Sequence, residues 1–590
     1  MKCTINKKLV PMKAHYFLFN AGSGPVTPYL SIYARQLGFS SIVVGFMYTI
    51  LPIFGMVAKP IFGTIADKFR CQKRLFLAAQ ILTAVAFLVI FYSPKIHTTR
   101  IVNFSCYNDT IGFFSNSSIN KCTLDNLRRQ NTSNMCKMTC GVIDQSLLCN
   151  KWNISDHCGH DPPTTLSFTA LTPTYKIQLT NTFLFFEIAN ITLNNERILT
   201  PSCSNGSPLS TCHINCDDYN INSLITETSI DDSDAYRSYQ FWCLLTFMII
   251  AWIGQATVVS IGDAICFQLL GDEHNSYGYQ RLWGSLGWGL IAVVTGALID
   301  VLSKGRAQKN YTSAFYTAAA FLITDFLVSL QIKHTQNSVS TNLFRDVGAL
   351  LLNIRIVVFL IWCVSIGMCT GLMWQFEFWL IEDLAKIQGC SATAHVKTLE
   401  GLVQAIQTII GETPFFFLSG IIMKKITHVH TMSLVLFAIG IRFILYSVIP
   451  NPWYFLPVEV SQGLTFGLFF ACMTSYASII APVGLEATMQ GLVGAVFEGV
   501  GVSAGSSLGG YFYKKVGGPL TFRYFGFAAL IICVIHILVQ RLLQELNGAK
   551  YSTSEKSKSF NFNLQQLCMH HHQHLGNNRT GNYSMSNDLV

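Results

Sequence analysis

Charged side chains are scarce in this sequence, and their scarcity excludes a soluble globular protein of this length. Only 12% of the 590 residues are Asp, Glu, Lys or Arg, whereas 51% are hydrophobic and the mean hydropathy is +0.39. Soluble domains carry about 25% charged residues. The net charge of +9 is scattered through loops and both termini, so it does not indicate a surface for nucleic acid. The composition predicts a chain that crosses a membrane many times.

Motifs for catalysis and for metal binding are also lacking. The sequence contains no phosphate-binding loop, no HExxH motif and no paired CxxC motif. We therefore predict that the protein is not an enzyme and needs no cofactor and no metal. Without a nucleotide site, any transport would have to draw on the gradient of a solute or an ion.

Apolar stretches of about 20 residues, the length that spans a bilayer as a helix, recur along the chain. They predict an all-α polytopic membrane protein with twelve transmembrane helices. The N-terminus runs straight from its first apolar stretch into a second, so we expect a retained helix rather than a cleaved signal peptide. The predicted spans are 14–36, 41–62, 75–94, 239–268, 280–301, 313–332, 353–380, 397–423, 430–449, 454–479, 488–511 and 521–541.

The spans divide six and six about a polar connector, as expected for two six-helix bundles that rock against each other. Cytosolic N- and C-termini follow from the position of the long loop discussed next and from the lysines before the first span. The predicted domains are helices 1–3 at 1–96, the loop at 97–237, helices 4–6 at 238–333, the cytosolic connector at 334–352, helices 7–12 at 353–541 and a disordered cytosolic tail at 542–590.

The long loop after the third span holds nine of the nineteen cysteines and seven Asn-X-Ser/Thr sequons. Disulfides and N-glycans form outside the cytosol, so we expect a disulfide-rich extracellular or lumenal loop whose pairing is open and in which, nine being odd, one cysteine can stay free. A zinc site at Cys136, Cys140 and Cys149 with His157 or His213 is the weaker alternative. We prefer the plasma membrane to an endolysosomal membrane. The candidate glycosylation sites are Asn103, Asn108, Asn116, Asn131, Asn153, Asn190, Asn205 and, in a shorter outer loop, Asn310.

Two charged residues fall inside neighbouring spans at matched depth. Asp263 and Arg281 each lie nine residues from Asp272, so at about 1.5 Å per residue they can pair. On a helix, Arg281 shares a face with Trp288, and the small residues between them predict a notch for a polar ring.

The second half contains a similar pair. Arg442 and Glu459 lie at similar depth on either side of a short turn at 450–452. Charges within a membrane indicate function by default, although an ion pair that pins two helices is a serious alternative. Glu377 and Glu412 are candidates for proton coupling, because a desolvated carboxyl group favours its neutral, protonated form.

A motif after the second span resembles the loop signature of the major facilitator superfamily. Gly63, Asp67 and Lys68 match it, whereas Arg70 and Cys71 stand where the signature has glycine and arginine. The resemblance implies a gating loop in which Asp67 locks the cytosolic ends of the two halves. A solvated run of charges is the alternative reading.

Longer stretches are similar to the orphan transporters of the major facilitator superfamily domain-containing protein 6 type, and more distantly to the lactose permease branch. They are PYLSIYARQLG at 28–38, YGYQRLWGSLGWG at 277–289, GETPFFFLSG at 411–420 and ATMQGLVGAVFEGVG at 487–501. In the permease branch an acid, an arginine and a tryptophan hold the sugar, and Asp263, Arg281 and Trp288 resemble them. Arg442 resembles a further arginine, but Glu459, Gln462 and Thr465 replace the lysine, histidine and glutamate of that branch.

These observations predict a secondary active or facilitative transporter that moves a small polar solute by alternating access, with H⁺ as a candidate coupling ion. The expected substrate site comprises Asp263, Arg281, Trp288 and Arg442, with Glu459 and Gln462 beside them. The alternative is a cell-surface receptor or adhesion protein, in which the glycosylated loop binds an extracellular protein partner on a scaffold derived from a transporter.

Overall fold

A computed structural model gives the architecture for most of the chain. It comprises two compact units, residues 1–530 and 531–590, each of which is described by itself. The predicted connector, 334–352, and the tail beyond 545 lie outside the described residues. The described residues are 8–96, 101–107, 110–115, 124, 128–129, 131–141, 165–179, 183–193, 196–199, 210–218, 221–222, 225, 232–270, 277–304, 306, 308–332, 354–480 and 486–545.

Helices make up most of these residues. They are α1 Val10–Ser23, α2 Leu30–Gln36, α3 Ser41–Lys68, α4 Gln72–Phe91, α5 Asp232–Arg237, α6 Tyr239–Leu270, α7 Tyr277–Leu302, α8 Thr312–Ser329, α9 Ile354–Gln388, α10 Cys390–Ala394, α11 Val396–Ala405, α12 Thr413–Ile426, α13 His428–Val448, α14 Phe455–Glu459, α15 Leu468–Ile480, α16 Glu486–Ala495, α17 Ser503–Val516 and α18 Gly518–Glu545. Three π-helical segments lie between helices, at Ile406–Glu412, Gly463–Gly467 and Val496–Val502.

Among the described residues, fewer than the predicted twelve helices have the length and composition of a membrane span. Ten helices in the described part of the chain are long and apolar enough to cross a membrane, and the bent pair Val396–Phe415 and Phe417–Ile426 would make eleven. The predicted span 14–36 is divided, because α1 ends at Ser23 and α2 starts at Leu30. Pro25 and Pro28 lie in the interruption, and proline has no backbone N–H to donate. Twelve crossings therefore remains a prediction.

Close contacts join the helices before the connector, called the first half here, to those after it, called the second half. A Cβ on Gly296 of α7 would lie 2.1 Å from the carbonyl oxygen of Lys397 on α11. Likewise, a Cβ on Gly510 of α17 would lie 2.3 Å from the carbonyl oxygen of Ser41 on α3. Only glycine allows such an approach of two backbones. The backbones of the two halves therefore touch at these glycines, among other places.

The loop after α4 folds as a sheet, so the expectation of an all-α protein holds for the membrane part alone. Among its described residues, nine antiparallel strands have the order β5-β6-β2-β1-β9-β3-β4-β7-β8. The strands are β1 Ile101–Tyr107, β2 Thr110–Ser115, β3 Ser133–Cys140, β4 Leu166–Pro173, β5 Ile177–Leu179, β6 Leu184–Glu187, β7 Asn190–Leu193, β8 Glu196–Leu199 and β9 Ser210–Cys216. We call residues 101–216 the sheet domain. One face buries apolar side chains, among them Phe104, Phe113 and Ile214.

Two disulfides cross the centre of the sheet domain, which confirms the prediction of a disulfide-containing loop. They join Cys136 to Cys216 and Cys140 to Cys212, which face each other in the register of β3 and β9. Because Cys136 and Cys140 are bonded, they are not free to act as the zinc thiolates of the alternative reading. Cys106 in β1 is also disulfide-bonded, as is Cys390 on α10.

The turn between α3 and α4 contains a strained residue. Arg70 has a φ of 49°, in the left-handed region that favours glycine, and it occupies the position where the superfamily signature has glycine. A side chain in this conformation costs about 1–2 kcal/mol. The turn therefore has a backbone conformation that favours glycine, although arginine occupies the position.

We expect Arg70→Gly to raise the stability of the protein by about 1 kcal/mol, because it removes this strain at an exposed site. Thermal unfolding of the purified protein in detergent measures the effect. Arg74→Gly is the matched control, since Arg74 is an exposed arginine inside α4, where glycine should lower stability by about 1 kcal/mol. Equal effects of the two substitutions would contradict the assignment of strain.

Candidate functional site

The first charged pair forms between α6 and α7. Arg281 Nη1 lies 3.0 Å from Asp263 Oδ2 and 3.1 Å from Asp263 Oδ1. The hydroxyl of Tyr16 on α1 donates to Asp263 Oδ1 at 2.7 Å. Arg281 is 46% exposed and Asp263 is 25% exposed, so a solute can reach this pair. The structure thus brings together the two residues whose matched depth allowed them to pair.

The predicted notch beside Arg281 is occupied at Gly284, one of the small residues between Arg281 and Trp288. A Cβ on Gly284 would lie 2.7 Å from the side-chain nitrogen of Asn20 on α1, and Gly284 is buried. The small residue therefore admits a neighbouring helix, so no space for a polar ring is left at Gly284. The expectation of an open notch at Gly284 was wrong because helical periodicity shows which residues share a face but not what packs against that face.

Trp288 connects the two halves through a hydrogen bond. Its indole Nε1 donates to Gln404 Oε1 on α11 at 2.8 Å, and Gln404 Nε2 donates to Gln407 Oε1 at 3.2 Å. Trp288 and Gln404 are both half-buried. A chain of polar groups therefore starts on the first half and enters the second.

The second charged pair lies at the end of this chain, fully enclosed by protein. Arg442 is hydrogen-bonded to Glu459, to Gln462 and, at 2.8 Å, to Thr465 Oγ1. The guanidinium is 1% exposed and the carboxylate 0% exposed. Tyr446 contacts both members of the pair. Arg442 and Glu459 therefore pair, but in this conformation neither is open to a solute.

Both candidate proton carriers join this buried cluster. Gln407 Nε2 donates to Glu377 at 3.0 and 3.1 Å and to Glu459 Oε2 at 2.6 Å, so one amide holds two carboxyl groups together. Gln462 Nε2 donates to Glu412 Oε1 at 3.0 Å. Glu412 is half-buried and within electrostatic range of Arg281. The site residues of the two halves thus approach each other near Glu412.

Sequence reasoning missed the amides that connect these groups. Gln404 and Gln407 carry no charge, and the partner of Gln404 lies 116 residues away, at Trp288. Their spacing of three residues on an apolar helix, with Glu412 shortly beyond, was the only available signal. Tyr16 and Tyr446 were missed for the same reason, because a tyrosine in a span is ordinarily a packing residue.

A dense polar network closes the helix ends nearest the sheet domain. Asp300 at the end of α7 accepts hydrogen bonds from Thr398 N at 2.7 Å, Thr398 Oγ1 at 2.8 Å and Lys397 N at 3.3 Å. A carboxylate at a helix N-terminus is favourable, because it satisfies backbone donors at the positive end of the helix dipole. Lys309 Nζ donates to the same carboxylate at 2.6 Å. Asp300 thus caps a helix that belongs to the other half.

Lys397 extends this network through its side chain. The ammonium is 0% exposed and lies 2.7 Å from Glu382 Oε1 and 2.9 Å from Glu400 Oε2. Arg35 on α2 donates to Asp383 Oδ1 at 2.7 Å, again from one half to the other. The two halves are therefore joined by ionic contacts on the sheet-domain side.

Toward the opposite helix ends the halves still touch, through the ion pair of Lys59 with Glu498 at 2.9 Å, although several glycines there have open space around them. A Cβ on Gly63 would meet no atom within 4 Å, and the same holds for Gly278, Gly420 and Gly491. Gly63 belongs to the predicted gating loop, and Lys68, the last residue of α3, is exposed with its Nζ 5.8 Å from the centre of the Phe69 ring. The side chain of Asp67 lies outside the described residues, so its locking role stays a prediction.

The candidate glycosylation sites remain predictions as well. Asn103 and Asn131 are exposed, and Asn190 and Asn310 are half-buried. Asn310 Oδ1 accepts hydrogen bonds from Thr312 N at 3.0 Å and from Thr312 Oγ1 at 2.5 Å. The remaining four, Asn108, Asn116, Asn153 and Asn205, lie outside the described residues.

Comparison with solved structures identifies the class of fold. The nucleoside transporter NupG superimposes with a TM-score of 0.56 at 13% identity, covering 90% of this chain and 99% of that one. A structure of a proton-dependent oligopeptide transporter gives a TM-score of 0.51 at 10% identity, covering 91% and 99%. At these identities the likeness shows the fold alone. The chain therefore shares its fold with solved membrane transporters.

The family follows from sequence. A model described as "MFS_1 like family" matches residues 9–524, and the chain belongs to that family. It is 22% identical to major facilitator superfamily domain-containing protein 6-like protein B of Xenopus laevis over 93% of both chains. It is 23% identical to the maltose permease of Geobacillus stearothermophilus over 52% of this chain and 73% of that protein. The resemblance noted from the motifs is confirmed.

Proposed function

We propose that this protein is a secondary transporter that moves a small polar solute by alternating access between its two halves. The observation that carries the proposal is the polar chain from Trp288 through Gln404 and Gln407 to the buried Arg442 cluster. Polar groups within a bilayer are costly, so a chain of them that crosses between two bundles is typical of a solute pathway rather than of packing. The family and the fold neighbours support a membrane transporter.

The distribution of contacts supports one conformational state. Hydrogen bonds from α11 to Asp300 and the ion pair of Arg35 with Asp383 join the halves on the sheet-domain side. Toward the opposite ends, Asp263 and Arg281 are partly exposed. We propose that the sheet domain faces outside and that the solute site faces the cytosol in this state. The accessible pair Asp263 and Arg281 would then meet the solute first, with Trp288 stacking against it.

Gln404→Leu should lower transport without unfolding the protein, because it cuts the hydrogen-bonded link between the halves. Loss of one such bond, worth about 1.4 kcal/mol, predicts roughly a tenfold lower uptake. Uptake of a panel of labelled polar solutes, beginning with maltose, into proteoliposomes is the measurement. Exposed Gln331→Leu is the matched control and should leave uptake unchanged. No uptake of any solute by the unmodified protein would sink the proposal.

The buried cluster contains more acidic groups than basic ones, and this imbalance is the reason for proposing proton coupling. Glu377 and Glu459 are 4% and 0% exposed, they share the amide of Gln407, and a single guanidinium, Arg442, lies in the cluster. A second buried carboxylate without a cation is costly, so we propose that one of the two holds a proton. Loss of that proton would break the arrangement around Gln407 and so favour a different conformation.

Glu377→Gln should abolish the acceleration of uptake by an inward proton gradient, because an amide cannot release a proton. Exchange of solute at equal pH on both sides should persist, since it needs no net proton movement. Exposed Glu545→Gln is the control for the substitution itself. Uptake that still follows the proton gradient in Glu377→Gln would assign the coupling proton to another carboxyl group, Glu459 or Glu412.

The alternative of a receptor or adhesion protein is not favoured by the comparisons. The sheet domain is a folded unit with its own apolar core, and it remains a surface on which an extracellular protein could bind. The polar chain between the halves has no role in such a function. Transport therefore accounts for more of the described residues.

A further inference from the structure

A second buried polar cluster lies in the first half, apart from the substrate site. His15 on α1 faces Asp325 on α8, with Nδ1 at 2.9 Å from Oδ1 and 3.1 Å from Oδ2. Gln80 on α4 donates through Nε2 to Asp325 Oδ2 at 2.7 Å and to Ser329 Oγ at 3.0 Å. All four residues are between 0% and 2% exposed. No role in solute contact accounts for them, because they are enclosed by protein.

The hydrogen-bond count around Gln80 is incomplete when Asp325 is ionised. The two hydrogens of the Gln80 amide are used by Asp325 and Ser329, and the Gln80 carbonyl oxygen Oε1 is buried without a partner. A buried acceptor without a partner costs about 1–3 kcal/mol. When Asp325 is ionised, its carboxylate therefore has hydrogen-bond donors, whereas the carbonyl oxygen of the Gln80 amide has none.

Rotation of the Gln80 amide by half a turn would place its carbonyl oxygen at the carboxyl group, which suits the protonated form of Asp325, and its nitrogen where Oε1 now has no partner. Its carbonyl oxygen would then face Asp325 Oδ2, an arrangement that requires Asp325 to carry a proton and to donate it. The same oxygen would come within reach of the His15 Nδ1 proton, because that ring nitrogen lies 3.2 Å from the Gln80 amide nitrogen. One amide can thus serve Asp325 with or without a proton.

Few other ionisable groups act on this cluster. On α1, the Tyr16 ring lies 5.5 Å from the His15 ring, and beyond it is the Asp263–Arg281 pair. On α4, the face toward His15 is Phe76, with ring centres 4.7 Å apart. On α6, a Cβ on Gly262 would lie 3.3 Å from His15 Nε2. His15 and Asp325 are therefore each other's nearest titratable partners in the described part of the chain.

We propose that His15, Asp325 and Gln80 form a proton-binding site in the first half, distinct from the Glu377 cluster of the second. The proton comes from water, binds a carboxylate oxygen of Asp325 and is returned to water when the carboxylate reforms. Binding is accompanied by rotation of the Gln80 amide. Because His15 precedes Tyr16, which donates to Asp263, a change at this site would be transmitted along α1 to the accessible pair.

Infrared difference spectroscopy of the purified full chain in nanodiscs, perfused with buffers of different pH, tests the site without a known solute. We expect the carbonyl stretching band of a protonated carboxylic acid to grow as the pH falls. The component of this band that Asp325 contributes should be absent in Asp325→Asn and present in Asp217→Asn, the control at an exposed carboxylate directly after the sheet domain. In Gln80→Leu the band should persist to higher pH, because the ionised carboxylate loses its amide donor.

Two outcomes would overturn the proposal. In the first, Asp325→Asn elutes as a folded protein on size exclusion but shows the same carboxylic acid bands as the unmodified protein. The other is a band that titrates identically in the unmodified protein and in Gln80→Leu, since the amide would then have no part in the site. If Asp325→Asn fails to fold, Gln80→Leu carries the test alone, because it retains both titratable groups.

Discussion

Arg442→Met is expected to lower the free energy of unfolding by about 3–5 kcal/mol, which is the usual cost of removing one partner of a buried ion pair. The guanidinium is 1% exposed and is bonded to Glu459, Gln462 and Thr465, so its loss leaves a buried carboxylate and two polar groups without their main partner. Thermal unfolding in detergent, followed by intrinsic fluorescence, measures the change.

The double variant Arg442→Met with Glu459→Met distinguishes an ion-pair effect from a packing effect. It removes both charges and keeps similar volume, so most of the lost stability should return. Glu377 would remain beside Gln407 and could stay protonated. A double variant that is less stable than Arg442→Met alone would show that the cost came from packing rather than from an unpaired charge.

Asp300→Ala is expected to open the sheet-domain side. The substitution removes three hydrogen bonds to Lys397 and Thr398 at the start of α11, together with the contact to Lys309 Nζ. Charge-assisted bonds of this kind are worth about 1.5–3 kcal/mol each in favourable cases. A net loss of roughly 3 kcal/mol would change the ratio of closed to open molecules by more than 100-fold.

Labelling of an introduced cysteine measures this opening. Tyr311 is 2% exposed and its ring lies 5.6 Å from Lys397 Nζ, so Tyr311→Cys should react slowly with a maleimide that cannot cross membranes. Adding Asp300→Ala should raise the labelling rate about 100-fold, and Asp300→Asn, which keeps the cap without its charge, should raise it less. An unchanged rate in Asp300→Ala would show that Asp300 does not hold the halves together.

The parts of the site that helix geometry determines were predictable. Asp263 with Arg281 and Arg442 with Glu459 follow from the rise per residue and a turn position, because both members of each pair lie on neighbouring segments of the chain. The connecting amides were not predictable in this way. Gln404 meets Trp288 only after two bundles have docked, and no periodicity within either helix encodes that docking.

The fold, like the site, was predictable where neighbouring residues along the chain determine the structure. Hydropathy located the long helices because burial in a bilayer depends on composition over about 20 residues. It merged α1 and α2 into one span, since averaging over a window conceals Pro25 and Pro28. In the loop, a signal was present but unused. Cys136 with Cys140 and Cys212 with Cys216 have equal spacing, which places each pair on one face of a strand.

The three π-helical segments mark places where helices of the second half can bend. Within the described residues, all three lie in the second half, at Ile406–Glu412, Gly463–Gly467 and Val496–Val502. Each interrupts the regular ladder of backbone hydrogen bonds and leaves a helix that can change its local winding at small cost. The second half could therefore flex at the residues that surround Gln407 and Thr465.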